Sequence, residues 1–236
     1  ETVMDLLLAY AENPTVWGDD YNIPESSNGI PDILDEIKYE LDWLLRMQQT
    51  DGSVLSVVGV QGFASGSPPS TDVAQRLYGP ATTSASFTAA TLFALGAIQF
   101  NSIGQTSYAS TLQSAASSAH TWAVANPNVT FYNSGIIAAG EQEVGTYDVL
   151  VRKMAASVFL FALTGTTSYK TFVDNNYSQM HLIQWGYAYP FETGQQDMLL
   201  YYASLSSATI SVANDIKNNY RSSMQTNNAD NLPAYM

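Results

Sequence analysis

The sequence predicts an all-α protein whose helices lie in two layers. Apolar residues return at helical spacing in segment after segment of the 236 residues. The segments also alternate: some are apolar nearly all round, others are half polar. Alternating buried and half-exposed helices is what two concentric helical rings require. No Gly/Ser or Pro-rich linker divides the chain, so a single domain over residues 1–236 is expected.

The first segment, "ETVMDLLLAYAEN", places Val3, Leu6, Leu7 and Tyr10 on one helical face, and Pro14 ends it. The stretch from Tyr21 to Val54, "YNIPESSNGIPDILDEIKYELDWLLRMQQTDGSV", joins an irregular loop to a dense amphipathic helix. In that helix Ile30, Ile33, Leu34, Ile37, Leu41, Leu44 and Leu45 form the apolar stripe. Pro31 fits the first helical position, where its missing N–H costs nothing. Asp32, Asp35 and Glu36 complement the dipole of the first turns. Asp42 and Arg46 are spaced for an i,i+4 ion pair. "TDGS" at 50–53 reads as a turn.

Residues 52–82 read as loop, with "SVLSVVGV" able to pair as a short strand. Helices are predicted at roughly 83–100, 105–125, 145–163, 167–177, 193–204 and 206–225, with 126–144 irregular. "ASFTAATLFALGAIQF" is apolar nearly all round and should be fully buried. "YASTLQSAASSAHTWAVA" is half polar and should face solvent.

Composition narrows the function. Lys and Arg number 8 against 21 Asp and Glu, a formal net charge of −13. Phosphate backbones need basic patches, so nucleic acid is excluded as a partner, and an anionic membrane surface is disfavoured. No run comes near the ~18 uncharged apolar residues of a membrane helix. The chain opens on Glu1 already in helical register, with no signal peptide visible. Cysteine is absent, which removes disulfides and thiolate chemistry. The low-lysine, hydroxyl-rich composition reads as that of a secreted protein, extracellular or periplasmic.

"NIPESSNGIPDILDEIKYELDWLLRMQ" resembles the corresponding segment of glycoside hydrolase family 9, the inverting cellulases and related β-glycosidases. "SPPSTDVAQRLYGPATTSASFTAATLFALGA", "YDVLVRKMAASVFLFALTGTTSYKTFVDNNY" and "WGYAYPFETGQQDMLLYYASL" resemble later stretches of the same family. The resemblance covers nearly all of the chain and is strongest in the first hundred residues. It implies an (α/α)6 barrel, incomplete here, with roughly eight of the twelve helices. It also implies hydrolysis of a β-1,4-glucan, as by an endoglucanase. An exo-acting glucosaminidase or cellobiosidase of the same family, or a noncatalytic carbohydrate-binding relative, is the alternative. An inverting enzyme needs a carboxylate base and a carboxylic acid with a water between them. The family's base lies in a "DAGD"-type motif ahead of the helix that matches "ETVMDLLLAY", and its acid is a late glutamate. Both catalytic residues are therefore expected outside this chain.

The resemblance implies that Trp185 is a sugar-stacking tryptophan; Tyr187, on the same loop before one inner helix, and Tyr78, before another, are further substrate-binding candidates, with Tyr189 alongside Tyr187. Trp17 and His181 are weaker candidates; Trp43 and Trp122 read as packing residues, and His120 as a surface or packing residue. No metal site is assigned from spacing, because two separated histidines do not make one. No cofactor is required; a structural calcium ion could sit on Glu25, Asp32, Asp35 and Glu36, since hard cations take oxygen ligands. The adjacent Asp19 and Asp20 read as a solvated or capping pair, and Glu141 and Glu143 as solvated surface charges, rather than as catalytic carboxylates. Asn128 and Asn176 stand in glycosylation sequons.

Overall fold

The computed structural model describes residues 2–62, 66–135, 137 and 145–229. Glu141 and Glu143 lie outside the described residues. The long helices are α1 (Thr2–Glu12), α2 (Asp32–Met47), α3 (Thr83–Ser102), α4 (Thr106–Ala125), α5 (Thr146–Thr164), α6 (Thr167–Asn176), α8 (Thr193–Ser204) and α9 (Ile210–Ser223). They correspond one for one to the eight predicted segments. A short helix, α7 (His181–Trp185), was not expected. The strands β1 (Val58–Gly59) and β2 (Leu77–Tyr78) pair antiparallel, with Val58 opposite Tyr78.

The helices pack in two rings. α1, α3, α5 and α8 touch one another in succession, and each carries an outer partner: α2, α4, α6 and α9 respectively. This is an arc of a helical toroid, as the alternation in the sequence predicted. α3 is the innermost element. Phe87, Phe93, Leu95 and Phe100 are buried in it at 1% exposure or less. By length and composition α3 could cross a membrane, contrary to the expectation that no run comes near that threshold. However, 83% of the apolar window is buried inside the protein, so it is a core helix.

The start of α3 carries polar groups that tie distant loops together. The Thr82 side chain caps the helix by accepting the Ala85 N–H at 3.2 Å. The Ser86 hydroxyl donates to the Thr82 carbonyl and accepts the Val54 N–H at 3.0 Å. The Thr83 hydroxyl donates to the Asn126 carbonyl and accepts the Val129 N–H. In the second half, Asp174 of α6 accepts the Tyr202 hydroxyl of α8 at 2.5 Å and the Thr209 hydroxyl ahead of α9 at 2.6 Å.

Two local expectations change. Pro31 is the N-cap of α2 and not its first helical residue. Its carbonyl accepts the Leu34 N–H, and the Asp32 N–H reaches out to the Gly18 carbonyl at 2.9 Å. Asp42 pairs with Lys38 at 2.5 Å and accepts the Tyr108 hydroxyl of α4 at 2.8 Å; no pair with Arg46 forms among the described residues. The half-buried seam between α2 and α4 draws the carboxylate toward Tyr108 and away from exposed Arg46.

Gly52, in the predicted turn, has φ +93°, and a Cβ there would lie 2.6 Å from the Ser118 carbonyl oxygen of α4. Backbone blocks backbone at that point, and the left-handed conformation disfavours any side chain. Gly52→Ala is expected to destabilise the fold by about 1–3 kcal/mol in chemical denaturation.

His120 of α4 sits edge-on between Phe87 and Tyr169, at 5.5 and 5.0 Å, with its Nε2 buried and unpartnered. Of the two roles the sequence left open, surface or packing, it takes the packing one. Burial, helped by the Lys153 ammonium, pushes its pKa down to about 4. The unfolded chain binds a proton near pH 6.5 that the native state refuses, so stability falls as pH drops from 6.5 toward 4. His120→Phe should remove this loss. Between pH 7 and 5 the wild type is expected to lose about 1–2 kcal/mol more than the variant, measured by urea unfolding.

Candidate functional site

The N-terminal ends of α3, α5 and α8 open on a common cavity of about 420 Å³. Its wall is mixed. Met4 of α1, Leu92 of α3, Ala155 of α5 and Met198 of α8 supply apolar surface, while Thr88, Asp148, Arg152, Glu192 and Gln195 supply polar groups. A volume of this size is in the range of small-ligand sites.

An aromatic column stands beside it. The His181 ring lies between Tyr147 and Trp185, parallel to both, with centroids 3.9 and 3.6 Å away. Helical spacing accounts for one contact, because His181 and Trp185 are i and i+4 on α7. Gly186, at φ +60°, then ends the helix. His181 Nδ1 is held by Glu192 at 2.8 and 3.1 Å, and Glu192 also lines the cavity. Tyr147 donates its hydroxyl to Gln195 at 2.8 Å and accepts the His181 N–H at 2.9 Å. Burial, with Glu192 and Asp148 nearby, pushes the Tyr147 phenol up to about 12, so it remains a hydrogen-bond donor.

Trp185 is 51% exposed, and among the described residues only its His181 side carries a stacked ring. Tyr189 meets it edge-on at 6.2 Å, and Phe191 follows Tyr189 at 5.5 Å with 85% exposure. Tyr187 is half-buried against Tyr189. Tyr78 is exposed on β2, four residues before the Thr82 cap of α3, and stands apart from the aromatic chain. The structure thus brings Trp185, Tyr187 and Tyr189 together and leaves Tyr78 at a separate loop. Trp185 ends a short helix and does not lie in the loop where the sequence placed it. Phe191, Glu192, Tyr147, Asp148 and Arg152 were missed; the spacing His181–Trp185 and Asp148–Arg152, each one helical turn, is the signal that could have found them. Trp17, Trp43 and Trp122 pack against the core.

A second cluster occupies the loop before α2. Asp19, Asp32 and Asp35 bring carboxylate oxygens within 4.8 Å of one another. Asp19 accepts the N–H groups of Ser27, Asn28 and Gly29, which hold the loop in a tight bend with Ser27 and Gly29 at positive φ. Asp32 Oδ2 accepts from the Tyr21 N–H at 2.6 Å and the Ser26 hydroxyl at 2.9 Å, while its Oδ1 is buried without a partner. Asp35 accepts from Asn28 Nδ2. Burial, and then Asp32, Glu25 and Asp19, push the Asp35 carboxyl above its ordinary range. Three carboxylates around one orphaned oxygen fit a hard cation. Of the four residues proposed from the sequence, Asp32 and Asp35 belong to this cluster, while Glu25 and Glu36 are exposed. Asp19, read as a capping carboxylate, does cap the loop and joins the cluster as well.

Comparison with known proteins agrees with the fold. The chain is 34% identical over 121 residues, half of its length, to endoglucanase D of Acetivibrio thermocellus. A shorter stretch of 55 residues is 42% identical to a xyloglucan-specific endo-β-1,4-glucanase of Bacteroides ovatus. Among solved structures, a metagenome-derived glycoside hydrolase family 9 endoglucanase superposes on 92% of the chain with a TM-score of 0.80 at 26% identity. The chain spans 19% of the length of the first of these proteins and 39% of the solved structure. The family model for glycosyl hydrolase family 9 matches residues 1–235, and with the two-ring helical arc this means that the chain belongs to glycosyl hydrolase family 9.

Proposed function

We propose that the protein hydrolyses β-1,4-linked glucan, with inversion, as an endo-acting secreted enzyme, and that residues 1–236 form the central part of one catalytic domain. The observation that carries this reading is the half-exposed Trp185 face, backed by His181, beside a cavity walled by inner helices. Sugars offer C–H faces to aromatic rings and hydroxyls to polar groups, and both are present here. Trp185 is the main stacking platform, with Tyr187 and Tyr78 as further binding residues. The relatives' names, endoglucanase and xyloglucan-specific endo-β-1,4-glucanase, support a β-glucan substrate. The acid and base are assigned outside this chain. Glu192, beside the cavity, is engaged with His181, and Asp19, Asp32 and Asp35 are engaged in the loop.

We further assign the loop cluster to calcium, which would brace the loop against the start of α2. Adding calcium to the purified protein should raise its melting temperature, by about 5–10 °C at a hundred times the dissociation constant. The increment should shrink as pH falls through the raised range of Asp35, because a protonated carboxyl cannot ligate. Asp32→Asn should abolish the increment, and an unchanged calcium response in that variant would rule the site out.

The function is tested at Trp185. In the complete protein, assayed on soluble cellulose, Trp185→Ala is expected to raise KM about 10-fold, on the order of 1.4 kcal/mol, with little change in melting temperature. A collapse in melting temperature with normal kinetics would make Trp185 a packing residue. Absence of turnover on any β-glucan by the wild type would sink the reading itself.

A further inference from the structure

The basic residues are unevenly placed. The sequence holds 8 Lys and Arg. Lys38 and Arg46 lie in α2, Arg152 and Lys153 in α5, Lys170 in α6, and Lys217 and Arg221 in α9. Arg76 alone stands outside the helices, at the end of an irregular stretch that follows the turn Pro69–Thr71 and runs into β2. Val73 is 93% exposed, and Ala74, Gln75 and Arg76 are exposed after it. Among the described residues the Arg76 guanidinium hydrogen-bonds only within its own segment, to the Ala74 carbonyl at 2.9 Å and to Asp72 at 2.8 Å. Such an exposed i,i+4 contact holds a side chain weakly. Leu77 and Tyr78 are already extended, and β1 pairs with them over just two residues.

We infer that the Arg76–Leu77 bond is a processing site for a trypsin-class peptidase, and that the cut leaves a folded two-piece protein of residues 1–76 and 77–236. The inference is independent of the β-glucan reading. Such a peptidase reads a cation at the residue before the cut and binds the flanking backbone as an extended strand. A helix does not enter that cleft, because its backbone groups are bonded within the coil and its dihedrals differ. The helical cations are therefore reached only when core-bearing helices open, whereas Arg76 needs the release of one two-residue ladder. Gln75 and Leu77, on either side of Arg76, are neither proline nor acidic. The helical cations nearest an end are also tied down. Met47, after Arg46, is 4% exposed, and its carbonyl accepts the Leu55 N–H at 3.1 Å. Ser223, two residues after Arg221, is buried and accepts the Ala188 N–H at 2.7 Å, and helical winding continues through Met224–Ala229. In the reaction the C–N bond between Arg76 and Leu77 breaks. The hydroxyl of water goes to the Arg76 carbonyl carbon and its proton to the Leu77 nitrogen, giving a carboxylate and an ammonium end. The pieces stay together through burial: Leu7, Tyr10, Leu34, Ile37 and Leu41 share one core with Phe87, Phe93 and Leu112.

The test exposes the complete native protein to limiting trypsin and identifies new chain ends within residues 1–236 by mass spectrometry. The first cut is expected after Arg76, at least about 10-fold faster than after any helical cation, because local opening is more frequent than helix opening. The same digest of the unfolded protein should lose that preference, which assigns the selection to the fold and not to the neighbouring residues. Arg76→Gln should slow the first cut at least about 10-fold. Arg76→Lys should restore it, since lysine keeps the cation. The nicked protein should elute as one species in size-exclusion chromatography and keep its helical circular dichroism, and denaturant should then separate the pieces. A first native cut at Lys38, Arg46 or any other helical cation overturns the processing site. So does an intact chain under conditions that fully digest the unfolded protein. An equal preference for Arg76 in the unfolded chain overturns the structural basis, and pieces that part under native conditions overturn the two-piece protein. If Arg76→Gln does not fold, the wild-type cut map and Arg76→Lys decide.

Discussion

The burial of α3 is the constraint on which the rest of the structure depends. Its twenty residues carry no charge, and it touches α1, α2, α4 and α5. A helix that is apolar on every face has no solvent side, so its neighbours must surround it. α4 covers it from outside with small residues, Ala109, Ala116, Ala119 and Ala123, which let the two axes approach closely. α1 and α5 flank it within the inner ring. Gly96 marks the tightest approach: a Cβ there would stand 2.8 Å from Leu41 of α2 and 3.2 Å from Leu112 of α4. Area removed from water stabilises this arrangement at roughly 25 cal/mol per Å².

The same packing places the chemistry. Inner helices that run side by side bring their N-terminal ends, and the loops before them, to one end of the arc. The segments ahead of the inner helices escape the demands of the core, so they can carry exposed aromatics such as Trp185, at the end of α7, and Phe191, just before α8. Their positions are nonetheless held by hydrogen bonds into the core helices. The Ala188 N–H donates to the Ser223 hydroxyl at 2.7 Å, and the Gln196 side chain donates to the Tyr189 carbonyl at 2.6 Å. Tyr147 and Glu192 bind His181 from two different inner helices or their approaches, so the platform under Trp185 is set by the spacing of α5 and α8.

The loop before α2 answers a different need. An irregular segment with residues at positive φ is held against a helix start by carboxylates that accept backbone N–H groups. Burial, and then the gathering of acids, raises the cost of charge there, which is visible in the raised Asp35. A bound cation would turn that cost into bracing. The proline-rich loop and the amphipathic helix are therefore one unit: Asp32 and Asp35 belong to the helix by sequence and to the loop by contact.

The sequence alone determined the helices, their order and their division into inner and outer kinds. Helical periodicity and all-round apolarity are local properties, and the core uses them directly, so all eight predicted segments reappear. It also pointed to Trp185, through the family resemblance, and to the four acids Glu25, Asp32, Asp35 and Glu36, through the oxygen preference of hard cations; of those four only Asp32 and Asp35 enter the cluster. Only the tertiary structure decided which residues meet. Tyr147 and His181 are far apart in the chain and stack because α5 and α7 converge. Asp19 joins Asp32 and Asp35 because the loop folds back on itself. Arg152 and Asp148 have a spacing that predicts an ion pair, yet Thr88 on α3 draws the guanidinium away. Sequence spacing describes one helix at a time, whereas a site depends on the angles and distances between helices, which packing sets.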